Sequence, residues 1–415
     1  MIAVSPPAAS ADTTRGHALR ALVASVLGYA MDGFDLLMLG FMLPAISAEL
    51  HLSTAQAGSL VTWTLVGAVA GGIVFGLLSD RYGRVRVLSW TILVFAVFTG
   101  LCALARGYTD LLVYRTIAGI GLGGEFGIGM ALVAEAWPAH LRARASSYVG
   151  LGWQLGVLAA ALLTPWLLPV IGWRGMFALG LLPAVVSFAV RRRVEEPALF
   201  VAHAGRVAGA PRGERPRALS LLVADARTAR ASFGVAILCS VQNFGYYGLM
   251  IWLPAYLSHA FGYSLTKSGL WTAATVAGMA LGIWLFGMAA DRFGRKPAFL
   301  FYQVGAVAMV FVYAHLTAPA ALLVGGAAMG VFVNGMIGGY GALISELYPT
   351  AARATAQNVL FNIGRAVGGF GPLAVGALSA RFSFGAALAM LASIYVLDVL
   401  ATLFLIPERR GAALE

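Results

Sequence analysis

The nine residues GLLSDRYGR at 76–84 return, with the same glycines, aspartate and arginines, as GMAADRFGR at 287–295. A second pair, EAWPAHLR at 135–142 and ELYPTAAR at 346–353, has the same offset of 211 residues. Two motif pairs at one spacing mark a tandem duplication, in which each copy is one structural unit. The same offset places Asn243 opposite Asp32, Tyr246 opposite Asp35 and Arg365 opposite Gln154. The copies therefore differ where they carry charge.

Between the motifs the chain is apolar. Of 415 residues 60% are hydrophobic and 11% charged, with a mean hydropathy of +0.84. Soluble domains carry about 25% charge, so this composition indicates an integral membrane protein. Apolar runs fall near 22–47, 59–79, 87–106, 110–133, 146–169, 173–190, 232–255, 269–290, 298–315, 319–343, 355–379 and 384–406. Each is long enough to cross a bilayer as a helix, the natural way to satisfy a lipid-embedded backbone. The expected fold is all-α and polytopic: a bundle of six helices over 1–190, a linker over 191–231 and a second six-helix bundle over 232–415. Six crossings return the chain to its starting side, so an axis along the membrane normal should relate the bundles, with a cavity between them.

The net charge of +11 could suggest a nucleic-acid partner, but its distribution points elsewhere. With the N-terminus inside, 22 Arg and Lys residues fall on the inner side and only Arg106, Arg174, Lys267 and Arg381 outside. That is the positive-inside pattern, with both termini cytoplasmic. The N-terminal segment lacks the basic start and apolar core of a signal peptide. Cys102 and Cys239 lie within apolar runs, which argues against a disulfide framework or zinc site. AGIGLGG at 118–124 resembles a dinucleotide fingerprint only loosely and lies in a membrane segment. No catalytic residue, metal or cofactor is expected.

Membrane-embedded charge is expensive and marks function. Asp32 and Asp35 lie on nearly one face of the first segment, where burial and mutual repulsion would allow a proton to be loaded and released. A structural ion pair or a bound cation are the other readings. Arg115 must have a carboxylate or an anion beside it, and Asp35 is the candidate partner. Glu125, deeper in the same segment, is either a second proton carrier or another partner for Arg115. Arg365 sits near the centre of the eleventh segment, opposite a neutral Gln154. Its planar fork suits a carboxylate ligand, with Asp398 as the competing partner. Gln154, Gln242, Asn243, Tyr246, Tyr247, Asn334, Asn358 and Asn362 complete the expected cavity, with Trp153 and Trp252 as further candidates. Asn358, Asn362 and Arg365 follow one helical face, which should point at the substrate. In the repeated motifs, Gly83 and Gly294 allow the turn, and Asp80 and Asp291 can cap a helix or pair with arginine. Arg81, Arg84, Arg292 and Arg295 belong to the same loops. Glu135 with Arg142 or Arg144, and Glu346 with Arg353, read as matching charge pairs on the inner face.

These motifs resemble the major facilitator superfamily of transporters over essentially the whole chain. The G-x-x-x-D-R-x-G-R loop and its copy carry that resemblance. MDGFD at 31–35, the Arg115 segment with GIGLGGEFG, and AEAWPAHLRARAS at 134–146 are similar to proton symporters of organic acids. The paired aspartates resemble the aromatic-acid group, and W-P-x-H-L-R the sialate and monocarboxylate group. The resemblance implies alternating access, in which the repeated loops lock the cytoplasmic side. It implies proton-driven uptake of a small organic anion through the inner membrane, without a cofactor, by a monomer. A proton antiporter exporting drugs or metabolites, and a membrane sensor or scaffold without transport, are the alternatives.

Overall fold

The computed structural model describes residues 11–414, apart from 183, 184, 186, 187, 190, 191, 193 and 209–216. Among the described residues there is no strand, and 11 helices are long and apolar enough to cross a membrane. The protein is a multi-pass membrane protein. In the first repeat α1 covers Ala11–Leu50, α2 Thr54–Tyr82 and α3 Arg84–Cys102. One crossing is then built from α4, Tyr108–Gly123, and α5, Glu125–Ala136. Helix α6, Arg142–Leu179, is 38 residues long, about 57 Å at 1.5 Å per residue and too long for one crossing. It breaks at Gly172, where φ is 65° and ψ 174°. The sixth expected segment, 173–190, starts after that break and runs partly outside the described residues.

The expected linker holds two helices, α7 at Ala198–Ala208 and α8 at Ala218–Leu221. Helix α8 is short, because Asp225 already caps the next membrane helix. That helix, α9, covers Ala226–Phe261, followed by α10 at Leu265–Phe293 and α11 at Arg295–Tyr313. The last three crossings are each broken once: α12 Pro319–Gly335 with α13 Ile337–Leu347, α14 Arg353–Gly368 with α15 Gly371–Arg381, and α16 Phe384–Leu391 with α17 Ile394–Leu405.

The repeat is visible in the packing. Helix α2 lies along α4 and α10 along α12, while α1 lies along α6 and α9 along α14. Glycines make these contacts possible, as expected where lipid supplies no hydrophobic drive and close approach must. A Cβ on Gly67 would stand 2.1 Å from the Thr116 carbonyl oxygen, and one on Gly278, its repeat partner, 1.9 Å from that of Ala327. Gly71 and Gly282 meet Ile120 and Val331 in the same way. Between the repeats, α2 packs on α14 and α6 on α10. At the motif loops Gly83 and Gly294 take φ of 112° and 111°, which an L side chain rarely adopts, so one helix ends and the next starts without a linker.

Candidate functional site

Three groups of polar side chains lie in this apolar frame. The first surrounds a small central cavity lined by Tyr29, Trp153, Gln242, Asn243, Tyr246, Tyr247, Asn334, Ile337, Phe361 and Arg365. Its volume of ≈ 20 Å³ holds about one water molecule, so in this conformation no organic ligand fits. Arg365, on α14, is 4% exposed and forms no ion pair among the described residues; its Nε donates to nothing. The guanidinium lies 5.6 Å from the centre of the Phe361 ring. Phe361 stacks on Phe126 at 3.8 Å, Phe126 meets Tyr29 at 5.0 Å, and Tyr29 meets Trp153 at 5.4 Å. On the opposite wall Tyr246 and Tyr247 meet edge to face, and Trp153 Nε1 donates to Tyr246 Oη at 3.3 Å. Gln242 Nε2 donates to Asn334 Oδ1 at 2.8 Å, which leaves Gln242 Oε1 without a donor. The phenol of Tyr29 interacts electrostatically with both Arg365 and Asp32. Asp32 is fully buried beside it. The cavity thus has an aromatic wall, a neutral amide wall, one cation and a nearby acid.

Seven expected cavity residues, Arg365, Gln242, Asn243, Tyr246, Tyr247, Asn334 and Trp153, are brought together here. Asn358 and Asn362 are not, and the expectation that their helical face opens on the cavity is corrected. A Cβ on Gly72 would stand 2.0 Å from Asn362 Nδ2, and one on Gly127 would stand 2.4 Å from Asn358 Cγ. Both amides thus fill glycine-lined gaps between α14 and the first repeat. Asn362 Nδ2 donates to Asn358 O at 2.9 Å and, more weakly, to Gly123 O at 3.4 Å. Helical spacing defines a face but not a depth, and seven residues along α14 are about 10 Å. Gln154 is buried without lining the cavity. Trp252 donates to Pro372 O at 2.7 Å and packs on Phe384.

The second group is an ion pair inside the first repeat. Arg115 donates to both carboxylate oxygens of Asp35, at 2.9 and 2.6 Å, and its Nε to Thr64 Oγ1 at 3.3 Å. Both partners are buried. A bidentate pair is the geometry an unavoidable intramembrane arginine needs. Glu125, on α5, accepts a hydrogen bond from Thr91 Oγ1 of α3.

The third group closes the motif end of the molecule. Asp80 accepts from the backbone N–H of Ala354 and Thr355, at 3.2 and 2.8 Å, and so caps α14 of the other repeat. Asp291 does the same for α6, accepting from Ala143 and Arg144, each at 3.0 Å. Each aspartate also pairs with the arginine four residues on, Arg84 or Arg295, at 3.0 Å. Glu135 joins Arg84 at 3.0 Å and Arg353 at 2.7 Å; Glu346 joins Arg295 at 2.7 Å and Arg142 at 2.8 Å. The expected pairing of Glu135 with Arg142 or Arg144, and of Glu346 with Arg353, is corrected: the partners are exchanged between repeats. Helix α5 packs on α14 and α13 on α6, so each glutamate meets the start of the opposite repeat's helix. Arg144 lies 3.8 Å from Asp291 instead, with its side chain partly exposed. Arg81 and Arg292 are exposed, over the rings of Tyr82 and Phe293.

Some residues of these groups went unanticipated. Glu196 accepts from Arg84 N and Arg86 N, at 2.7 and 3.0 Å, and Glu408 from Arg295 N and Lys296 N, at 3.1 and 2.7 Å. Each caps the helix after a motif loop, and both stand beside a proline just after the sixth and twelfth segments, a repeat signal of its own. The Arg84 guanidinium also lies over the Phe200 ring of α7, at 4.8 Å. Tyr29 and Phe361 precede Asp32 and Arg365 by three and four residues, helical neighbours that could have been read as lining the same space.

The sequence profile of the Major Facilitator Superfamily matches residues 25–268 and 235–414. A Haemophilus influenzae protein named for metabolite transport is 65% identical over 397 residues, covering 95% of this chain and 98% of its own. The cis,cis-muconate transport protein of Acinetobacter baylyi is 30% identical, covering 93% of this chain and 94% of its own. Among solved structures, the proton:xylose symporter XylE superposes with a TM-score of 0.81 at 20% identity, over 97% of this chain and 98% of that one.

Proposed function

The chain belongs to the Major Facilitator Superfamily as a transporter related to carriers of organic acids, and we propose that it takes up a small planar organic anion together with protons. The observation that carries this reading is Arg365: a buried guanidinium in an aromatic cavity, with no ion pair among the described residues. A carboxylate ligand would neutralise it through two parallel hydrogen bonds. The rings of Tyr29, Phe361 and Trp153 would contact a flat conjugated body, and Gln242 Oε1 would accept from a hydroxyl or N–H. The name of the Acinetobacter baylyi relative, a muconate carrier, fits that class.

The motif end faces the cytoplasm, as the Arg and Lys distribution favours, and in a bacterium the membrane is the inner one. In the outward-facing state a proton neutralises Asp32 and the anion pairs with Arg365. The cavity can then close without burying net charge. The two repeats rock, the exchanged charge pairs at the motif end separate, and loss of the proton and anion to the cytoplasm resets the cycle. Asp35 is held in the bidentate pair with Arg115, so of the two aspartates it is Asp32, beside the cavity-lining Tyr29, to which this reading gives the proton. The proton gradient supplies the driving force.

The test is a thermal-shift and binding screen of purified protein against benzoate-type acids, muconate-type diacids, lactate, sialate and neutral sugars. Stabilisation by a planar acid, lost in Arg365→Ala, supports the reading. Equal binding by that variant contradicts it.

A further inference from the structure

Inside the second repeat lies an acid that this mechanism does not use. Asp398, on α17, is fully buried, and neither carboxylate oxygen accepts a hydrogen bond in the structure. No ion pair reaches it among the described residues. The titratable groups facing it are Cys239 of α9, Tyr340 of α13 and Tyr395 of its own helix, each neutral near pH 7. Helix α16, which also packs on α17, carries no ionisable side chain. From α11 comes the Gln303 amide, whose Nε2 donates to Thr402 Oγ1 at 2.8 Å and whose Oε1 has no donor.

An ionised Asp398 would be a buried carboxylate with no cation near and only the Gln303 amide as a polar neighbour, an arrangement that buried acids avoid by taking a proton. The neutral acid removes the buried charge, and its O–H is a donor of the kind that Gln303 Oε1 lacks. Turning the amide over would give the ionised form one neutral donor but still no counter-charge. We propose that Asp398 is a proton-binding site of the second repeat, held as the neutral acid and donating to Gln303 in the closed conformation. The site lies one turn behind the cavity: Cys239 precedes Gln242 by three residues on α9, and the Cys239 carbonyl accepts from Asn243 Nδ2 at 2.8 Å. The acid is thus close enough to meet water when the cavity opens and sealed from it here.

The proposal extends the proton-symport reading, but its test reads the proton without transport, so the two can fail separately. Infrared spectra of the purified protein at pH 7 are compared for wild type, Asp398→Asn, Asp32→Asn and Gln303→Leu. The expected result is a protonated-carboxyl C=O band that disappears in Asp398→Asn and persists in Asp32→Asn. In Gln303→Leu the band should remain and shift to the frequency of a more weakly bonded acid, a readout that does not require the Asp398 variant to fold. An Asp398→Asn spectrum that loses only ionised-carboxylate absorption would overturn the proposal, and so would a band that Gln303→Leu leaves in place.

Discussion

The exchange of charge pairs at the motif end makes a quantitative claim about Asp80→Asn. Its carboxylate receives two backbone N–H groups from the start of α14, and it shares Arg84 with Glu135. Asparagine keeps one acceptor oxygen, so the cap is weakened rather than lost. What disappears is a negative charge at a buried helix N-terminus, worth up to about 2 kcal/mol. The loss of charge assistance from a hydrogen bond adds about 1 kcal/mol. Arg84 retains Glu135, so no buried arginine is orphaned and the larger penalty for that does not apply. A bias of about 2–3 kcal/mol changes the ratio of closed to open motif ends by roughly 30- to 150-fold. Adding Asp291→Asn, which weakens the mirror cap on α6, should about double the free-energy bias where the two caps act independently. Spin labels at the exposed positions 81 and 292, one on each repeat, report the separation by pulsed electron-electron resonance. We expect a short-distance population in the wild type, a longer one growing in Asp80→Asn, and a dominant longer one in the double variant. A distance distribution unchanged in the double variant would refute the claim that these caps hold the end shut.

Three further outcomes follow from the geometry. Asp35→Ala should destabilise the protein by about 3–5 kcal/mol because it leaves Arg115 buried without its bidentate partner, and joint replacement of both by apolar residues should recover most of that loss. Thermal unfolding followed by tryptophan fluorescence measures this, and a double variant less stable than Asp35→Ala would contradict it. Gly71→Ala puts a Cβ 1.9 Å from the Ile120 carbonyl oxygen, whereas Gly40→Ala meets nothing within 4 Å. The first should abolish folded protein on size-exclusion chromatography, and the second should be neutral or gain up to about 1 kcal/mol from helix propensity. At the exposed start of α9, hydrogen bonds from Thr228, then Arg227, hold the Asp225 carboxyl below its ordinary range. A depressed carboxyl contributes stability that is present above its unfolded value, near pH 4, and lost as the pH falls further. Exchange of the amides of residues 226–229, corrected for intrinsic rate, should therefore rise below about pH 4, and Asp225→Asn should remove that dependence.

Much of the fold was legible because lipid leaves the backbone few choices. The apolar runs marked the helices, and the offset shared by GLLSDRYGR and GMAADRFGR marked the duplication that relates them. The partnership of Asp35 with Arg115 was legible for the same reason: an intramembrane arginine must be answered by something, and of the two acids offered, Asp35 and Glu125, the first is its bidentate partner. Asn358 and Asn362 were misplaced because periodicity reports a face and is silent on depth. Gly72 and Gly127, which make room for those amides, belong to helices of the other repeat. The partners of Glu135 and Glu346 were also beyond local reading. Within each repeat Arg142 or Arg144 is nearer to Glu135 in sequence than Arg353 is, and only assembly of the repeats brings Arg353 within 2.7 Å. Tyr29 and Phe361 were passed over because aromatic residues on a helix face ordinarily fill a core; what distinguishes these two is the cavity they border together with Arg365.

The central claim is that a proton gradient drives accumulation of an organic anion through this cavity. Proteoliposomes holding the purified protein, loaded at neutral pH and diluted into acidic medium with a labelled benzoate- or muconate-type acid, test it directly once flux through empty liposomes is subtracted. The account predicts uptake above equilibrium that a protonophore collapses, that Asp32→Asn reduces to exchange, and that Arg365→Ala removes. Concentrative uptake of the same size with the gradient dissipated, or across a series of outside pH values, would contradict it.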